Sequence, residues 1–287
     1  MIIIEAIILG IIQGLTEFIP ISSSAHLIIV PWLFGWNDPV LTSLTFDVAL
    51  HMGTLIALLV FFASDWIRLF RAGINSIIER KIGNSFDRRL AWFIVIGCIP
   101  GAIAGVLGES KIEKLFHQPN IPIKSSAIIA MAIIIALMAL VLFLADHLVR
   151  HTRQLQALSL KDTIIIGVAQ ALAIFPGVSR SGSTIAAGLA LSLERESAAR
   201  FSFLLSAPII AGAGLKSLWD MLQSQPPGGI SRTEILIFLV GITTAAISGF
   251  LCIKYLLRYL QKHSTDIFVY YRWALAAVLI IIALIRG

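Results

Sequence analysis

The sequence predicts an all-α polytopic membrane protein, with six transmembrane helices and two re-entrant helix–loop–helix hairpins in an inverted-topology repeat. Three observations predict it. Of 287 residues, 58% are hydrophobic and only 13% charged, about half the charged share of a soluble domain. Long apolar runs recur in every third of the chain. Shorter apolar runs come in pairs, each pair joined by a polar stretch with Pro and Ser.

A bilayer crossing needs about 20 apolar residues in a helix, and runs of about 10–14 suggest re-entrant segments. The runs at roughly 43–63, 90–107, 124–148, 198–218, 233–259 and 268–286 are long enough to span. Those at 2–18, 24–35, 161–175 and 182–193 are short or interrupted. Broken helices at membrane depth need protein or a water-filled cavity to satisfy their backbone. Each short pair therefore reads as a hairpin with a polar tip.

The order is hairpin, three spans, hairpin, three spans. An odd number of spans per half sends the second half in from the opposite side. Residues 1–150 then form one inverted repeat and 151–287 the other. "QGLTEFIPISSSA" (13–25) aligns without gaps on "QALAIFPGVSRSG" (170–182), an offset of 157. Gly97, Gly101 and Gly105 align on Gly241, Ala245 and Gly249, an offset of 144. The long basic loop 64–89 against the short loop 219–232 accounts for the difference. Inverted repeats with broken helices build their site near the midplane.

The formal charge of +6 does not call for nucleic acid, because the basic residues sit between apolar runs. They fit the orientation rule for membranes instead. Of the 22 Lys and Arg, most fall on the side of loop 64–89, Arg272 counted among them. Only Lys111, Lys114, Lys124, Lys216, Arg232 and Arg286 fall on the other, and Arg180 sits in a tip. The richer side is expected to be cytoplasmic, which turns the first hairpin's mouth outward. The start, "MIIIEAIILG", lacks the basic region of a signal peptide. Cys98 and Cys252 lie in apolar runs without metal or disulfide spacing and read as packing residues.

Arg180 is the decisive residue of the tips. A charge at membrane depth is expensive and marks function by default, and its planar fork suits phosphate oxygens. Gly177 and Gly182 let the backbone turn N–H groups inward. Ser179, Ser181, Ser183 and Thr184 add hydroxyls at a helix start near Gly182. In the other tip stand Glu17, Gln13 one turn earlier, Ser22, Ser23, Ser24 and His26. A carboxylate, hydroxyl and imidazole facing an anion-binding loop make a hydrolytic set. The structural alternatives are an Arg180–Glu17 pair that only glues the halves, and serines that only cap a helix. Asp47, His51 and Thr54 share one face of the next helix and either line the cavity or pack on the hairpin. Pro100 is expected to kink its helix, and Ser206 and Pro208 to break theirs. The Gly97/Gly101/Gly105 stripe reads as helix packing.

"EFIPISSSAH", "PGVSRSGST", "FDVALHMGT" and "FSFLLSAP" together resemble the undecaprenyl pyrophosphate phosphatase family, the bacitracin-resistance proteins, over essentially the whole chain. The resemblance implies a bacterial inner-membrane enzyme that hydrolyses undecaprenyl diphosphate to undecaprenyl phosphate and phosphate, recycling the lipid carrier of peptidoglycan synthesis. It implies catalytic roles for Glu17, Ser23, His26 and Arg180. Phosphate binding falls to Gln13, Ser22, Ser179, Arg180, Ser181, Gly182 and Thr184. It also implies Mg2+ or Ca2+, with Glu17 as the metal-holding carboxylate. Gln13 stands where some members have Glu, and "SSSAH" replaces the commoner "SSTGH". Whether Ser23 or His26 is the nucleophile stays open, as does a homodimer. The rival reading is a transporter or flippase for an anionic polyprenyl lipid.

Overall fold

The computed structural model describes residues 1–116, 124–223 and 231–286. The side chains of Lys111 and Lys114, and most of loop 219–232, lie outside the described residues. The chain runs α1 (Ile2–Phe18), α2 (Ser23–Phe34), α3 (Leu44–Phe61), α4 (Ala63–Ile78), α5 (Phe86–Phe116) and α6 (Ser125–Leu148). It continues through α7 (Leu160–Ala171), α8 (Arg180–Ala190), α9 (Arg195–Gln223), α10 (Arg232–Leu260) and α11 (Asp266–Arg286). Among the described residues every regular element is helical, and six helices are long and apolar enough to cross a membrane: α3, α5, α6, α9, α10 and α11. This is the predicted fold class. Exposed Val60, Val106, Ile133, Ile247 and Ile285 face outward from these helices, as a lipid-facing surface requires.

The short helices end and begin for local reasons. α1 stops where Ile19 turns extended ahead of Pro20, and α7 passes through a 3-10 turn, Leu172–Ile174, to an extended Phe175 ahead of Pro176. A residue before proline is pushed out of the helical region. α2 and α8 each start from a serine N-cap with positive φ, Ser22 at 77° and Ser179 at 71°. Such backbone is rare for a residue with a Cβ and persists only where the surroundings hold it. α7 opens on a capping box between Ser159 and Asp162.

Close helix contacts depend on glycine. α1 lies along α10, and a Cβ at Gly10 would meet Gly241 O at 2.7 Å. α7 lies along α5, and a Cβ at Gly167 would meet Gly97 O at 2.5 Å. Small residues let backbones approach this closely. α2 packs through Ala25, Ile28 and Ile29 on α6 and α11. α8 is enclosed, with Ile185 and Leu189 fully buried. At one end, buried carboxylates tie helices together: Asp65 accepts from Arg200 and Asp146 from Arg195, each at 2.6 Å. Cys98 and Cys252 are free and buried, their thiols donating to Leu205 O and Leu15 O.

Three expectations change. Residues 63–78 form a helix, α4, rather than loop, with Ile67, Phe70, Ile74 and Ile77 on an exposed apolar face. Its polar face depresses mean hydropathy, so a span search passes over it. α9 runs unbroken through Pro208; only one ladder bond is lost there, and Ser206 donates instead to Phe203 O at 2.6 Å. The glycine stripe divides: Gly97 packs on α7, whereas Gly105 has nothing within 4 Å of a built Cβ.

That division sets a test. Gly167→Ala forces backbone apart and should destabilise the protein by about 1–3 kcal/mol, read as thermal unfolding in detergent. Gly105→Ala should leave the unfolding temperature unchanged or slightly higher.

Candidate active site

The α1–α2 and α7–α8 tips meet inside the protein. Gly177 N donates to Ser22 Oγ at 3.2 Å, and Ser181 Oγ donates to Ile19 O at 3.1 Å. A third element fastens both. Arg272 of α11 is fully buried. Its Nη1 donates to Pro20 O at 3.0 Å, its Nη2 to Gly177 O at 2.9 Å and Val178 O at 3.3 Å, and its Nε to Ile135 O at 3.1 Å. Arg272 therefore belongs to the interior and not to the orienting charges of the basic side. In the sequence it stands near the start of the apolar run 268–286, where a charge reads as an interfacial orienting residue.

Beside the junction lies a cavity of about 260 Å³. Glu17, Ser23, Ser24, His51, Gln170, Ser179 and Arg180 line it, with Gly101, Gly105, Ala171, Ala173, Ile174, Ile209, Ile210 and Ala213 as apolar wall. Glu17 is its centre. Arg180 Nη2 donates to Glu17 Oε1 at 2.6 Å. Ser23 Oγ donates to Glu17 Oε2 at 2.5 Å, and Gln13 Nε2 to the same oxygen at 3.0 Å. His51 Nε2 stands 3.3 Å from it as well. The second guanidinium nitrogen of Arg180, Nη1, is buried without a partner. Of the helix-face trio, His51 thus faces the cavity, while Thr54 is buried with its hydroxyl on His51 O.

The other expected residues stand around this centre rather than in it. Gln13 lies behind Glu17, outside the cavity lining. Ser179 Oγ accepts from Gly182 N at 3.1 Å, capping α8. Thr184 Oγ1 pairs with Ser202 Oγ at 2.6 Å and donates to Arg180 O at 2.8 Å, so it packs α8 on α9. Ser183 Oγ donates back to Arg180 O. His26 has both ring nitrogens engaged, Nδ1 with Ser22 O at 2.6 Å and Nε2 with the Tyr271 hydroxyl at 2.7 Å. It does not line the cavity. Tyr271 has no local sequence signal, because 245 positions separate it from His26.

Comparison with known proteins places the chain in a family. The family model described as bacitracin resistance protein BacA matches residues 6–278. The chain belongs to this family. It is 47% identical over 286 residues to the undecaprenyl-diphosphatase of Moorella thermoacetica, covering 100% of both chains. It is 45% identical over 283 residues to the undecaprenyl-diphosphatase of Desulforudis audaxviator, covering 99% of this chain and 98% of the relative. With that of Thermomicrobium roseum it shares 44% over 278 residues, 97% of each chain.

A Mg2+ or Ca2+ ion here would take Glu17 together with water and substrate oxygens rather than a cage of protein ligands. Glu17 is the single carboxylate lining the cavity, and Arg180 and Ser23 occupy its two oxygens. No group of three or more His, Cys, Asp or Glu could hold a metal among the described residues.

Arg272 gives the prediction here. Arg272→Ala leaves buried carbonyls of both tips without a donor and should cost about 3–5 kcal/mol, the scale of breaking a buried charged network. Arg272→Lys should rescue little, since one ammonium cannot reach three directions at once. Unfolding of both variants in detergent, beside wild type, checks this.

Proposed function

We propose that the protein is an integral membrane phosphatase that hydrolyses undecaprenyl diphosphate to undecaprenyl phosphate and phosphate. The single observation that carries the reading is the Arg180–Glu17–Ser23 constellation, one guanidinium and one hydroxyl on opposite oxygens of one buried carboxylate. The apolar wall of the cavity suits a polyprenyl tail. The activity in the names of the relatives agrees with that chemistry.

On this reading the resting ion pair is the substrate's placeholder. The diphosphate draws Arg180 away from Glu17 and is neutralised by it, as phosphoryl transfer requires. With Oε1 released, Glu17 is a stronger base, and its Oε2 takes the Ser23 proton while Ser23 Oγ attacks the terminal phosphorus. The bond to the bridging oxygen breaks, and undecaprenyl phosphate leaves. Water next attacks the phosphoseryl group, giving phosphate and restoring Ser23. His51, beside the same Glu17 oxygen, relays the proton. His26, held by Ser22 O and Tyr271, positions the first tip.

We further propose that the two short-helix pairs are re-entrant hairpins of an inverted repeat, 1–150 and 151–287, in a bacterial inner membrane. Residues lining the cavity on α3, α5 and α9 come from the half of each helix remote from the basic loops. The site accordingly opens outward, where spent carrier accumulates during wall synthesis.

Phosphate release from undecaprenyl diphosphate by detergent-purified protein tests the enzyme. Arg180→Ala should lower the rate by about 10²–10³-fold, the scale of losing one preorganised charge donor. Ser23→Ala should abolish a trappable phosphoryl-enzyme, and His26→Ala should keep it. An active Ser23→Ala beside an inert His26→Ala would move the nucleophile to His26. Binding of the lipid without phosphate release, by folded wild type, would favour a flippase.

A further inference from the structure

Gln170 is the penultimate residue of α7 and only 3% exposed. It lines the cavity, yet neither its Nε2 nor its Oε1 has a hydrogen-bond partner. A buried amide with both ends unmet is rare in folded proteins and marks a missing partner. The neighbouring Arg180 leaves its Nη1 unmet in the same cavity. Both residues line the cavity, so two unpartnered donors and one acceptor lie at its wall.

Comparison with Gln13, 157 positions earlier, sharpens the point. Gln13 spends its Nε2 on Glu17 and stays outside the cavity lining. Gln170 has no carboxylate to hold, because the position one turn on is Ile174. The neighbouring helix also makes room for the amide. A Cβ on Gly101 of α5 would lie 3.1 Å from Gln170 Nε2, and Gly101 itself lines the cavity. Its φ needs no glycine, so space for the amide is what its missing side chain provides.

We propose that Gln170, with Arg180 Nη1, binds the phosphoryl group that stays on the lipid, and so selects a diphosphate. This rests on the phosphatase reading. The terminal phosphoryl group must lie against Ser23 to be attacked. Gln170 is flanked by Ala171, Ala173 and Ile174 of the apolar wall, a surface that suits the hydrocarbon end of the lipid. A neutral amide donates to a phosphate oxygen without adding a second fixed cation. The product monoester is then gripped less firmly than the diphosphate, which favours its release.

The test is inhibition and saturation kinetics on the detergent-purified full chain. Gln170→Ala should raise KM for undecaprenyl diphosphate about tenfold, the scale of one hydrogen bond to a charged group. Inhibition by undecaprenyl monophosphate should weaken by a similar factor, and inhibition by inorganic phosphate should not change. Gly101→Ala, which presses on the amide and leaves it in place, should give the same selective pattern at smaller size. KM and monophosphate inhibition within about twofold of wild type in both variants would overturn the inference. So would equal weakening by inorganic phosphate, which would place Gln170 at the terminal group. Absence of release by wild type would instead sink the phosphatase reading. Thermal stabilisation by undecaprenyl monophosphate, compared between wild type and Gln170→Ala, then decides the subsite on its own.

Discussion

Two helix breaks inside one membrane protein create a carbonyl problem. Each tip frees backbone oxygens where no bulk water can reach them, and such groups are costly to leave unmet. Arg272 meets three of them at once, from Pro20, Gly177 and Val178, and donates also to Ile135 O of α6. A guanidinium suits the task because its donors diverge in a plane, so it can address several segments together. The carbonyl dipoles in turn solvate its charge. The tips, the α6 backbone and α11 are thereby one mechanical unit, and the positive-φ serines at Ser22 and Ser179 are held within it.

This anchoring lets Arg180 be mobile in purpose. An arginine that braced the tips could not be released to a substrate without loosening them. With Arg272 as brace, the Arg180 guanidinium pairs, among the described residues, with Glu17 through Nη2 and leaves Nη1 without a partner. The ion pair then acts as a latch on the carboxylate. In the proposed mechanism Glu17 serves as base once an anion competes for the guanidinium, so the chemistry waits for the substrate.

Much of this was legible in the sequence for physical reasons. The spans follow from apolar length, and the tips from proline-terminated short runs, as Ile19–Pro20 and Phe175–Pro176 show. Arg180 and Glu17 stood out because intramembrane charge is expensive. What stayed hidden depends on tertiary packing. Nothing local distinguishes a brace such as Arg272 from an interfacial orienting charge until α6 and both tips surround it. His26 looked like a member of the reacting set because it follows the serines, but α2 turns it toward Tyr271. His51 was visible as one member of a polar stripe; that it meets Glu17 required α3 to pack against α1. The face of α4 escaped because mean hydropathy averages an amphipathic helix away.

The offset of 157 carries a last step. It pairs Gln13 with Gln170, Glu17 with Ile174, Ser22 with Ser179 and Ser23 with Arg180. Ser22 and Ser179 keep one conformation, the positive-φ cap, because both tips need the same turn. The next residue of each tip, Ser23 or Arg180, is aimed by that turn into one cavity. The backbone thus delivers two equivalent slots, and the side chains make them unlike: a hydroxyl on one side, a guanidinium on the other. The slots six residues earlier diverge in the same way, Glu17 against Ile174, carboxylate against hydrocarbon. Two chemically identical tips would offer two bases or two cations. Unlike tips offer an attacking side and a binding side, which an asymmetric diphosphate ester needs. The two tips share one turn geometry, and divergence at two pairs of positions, Glu17/Ile174 and Ser23/Arg180, gives the proposed reaction its direction.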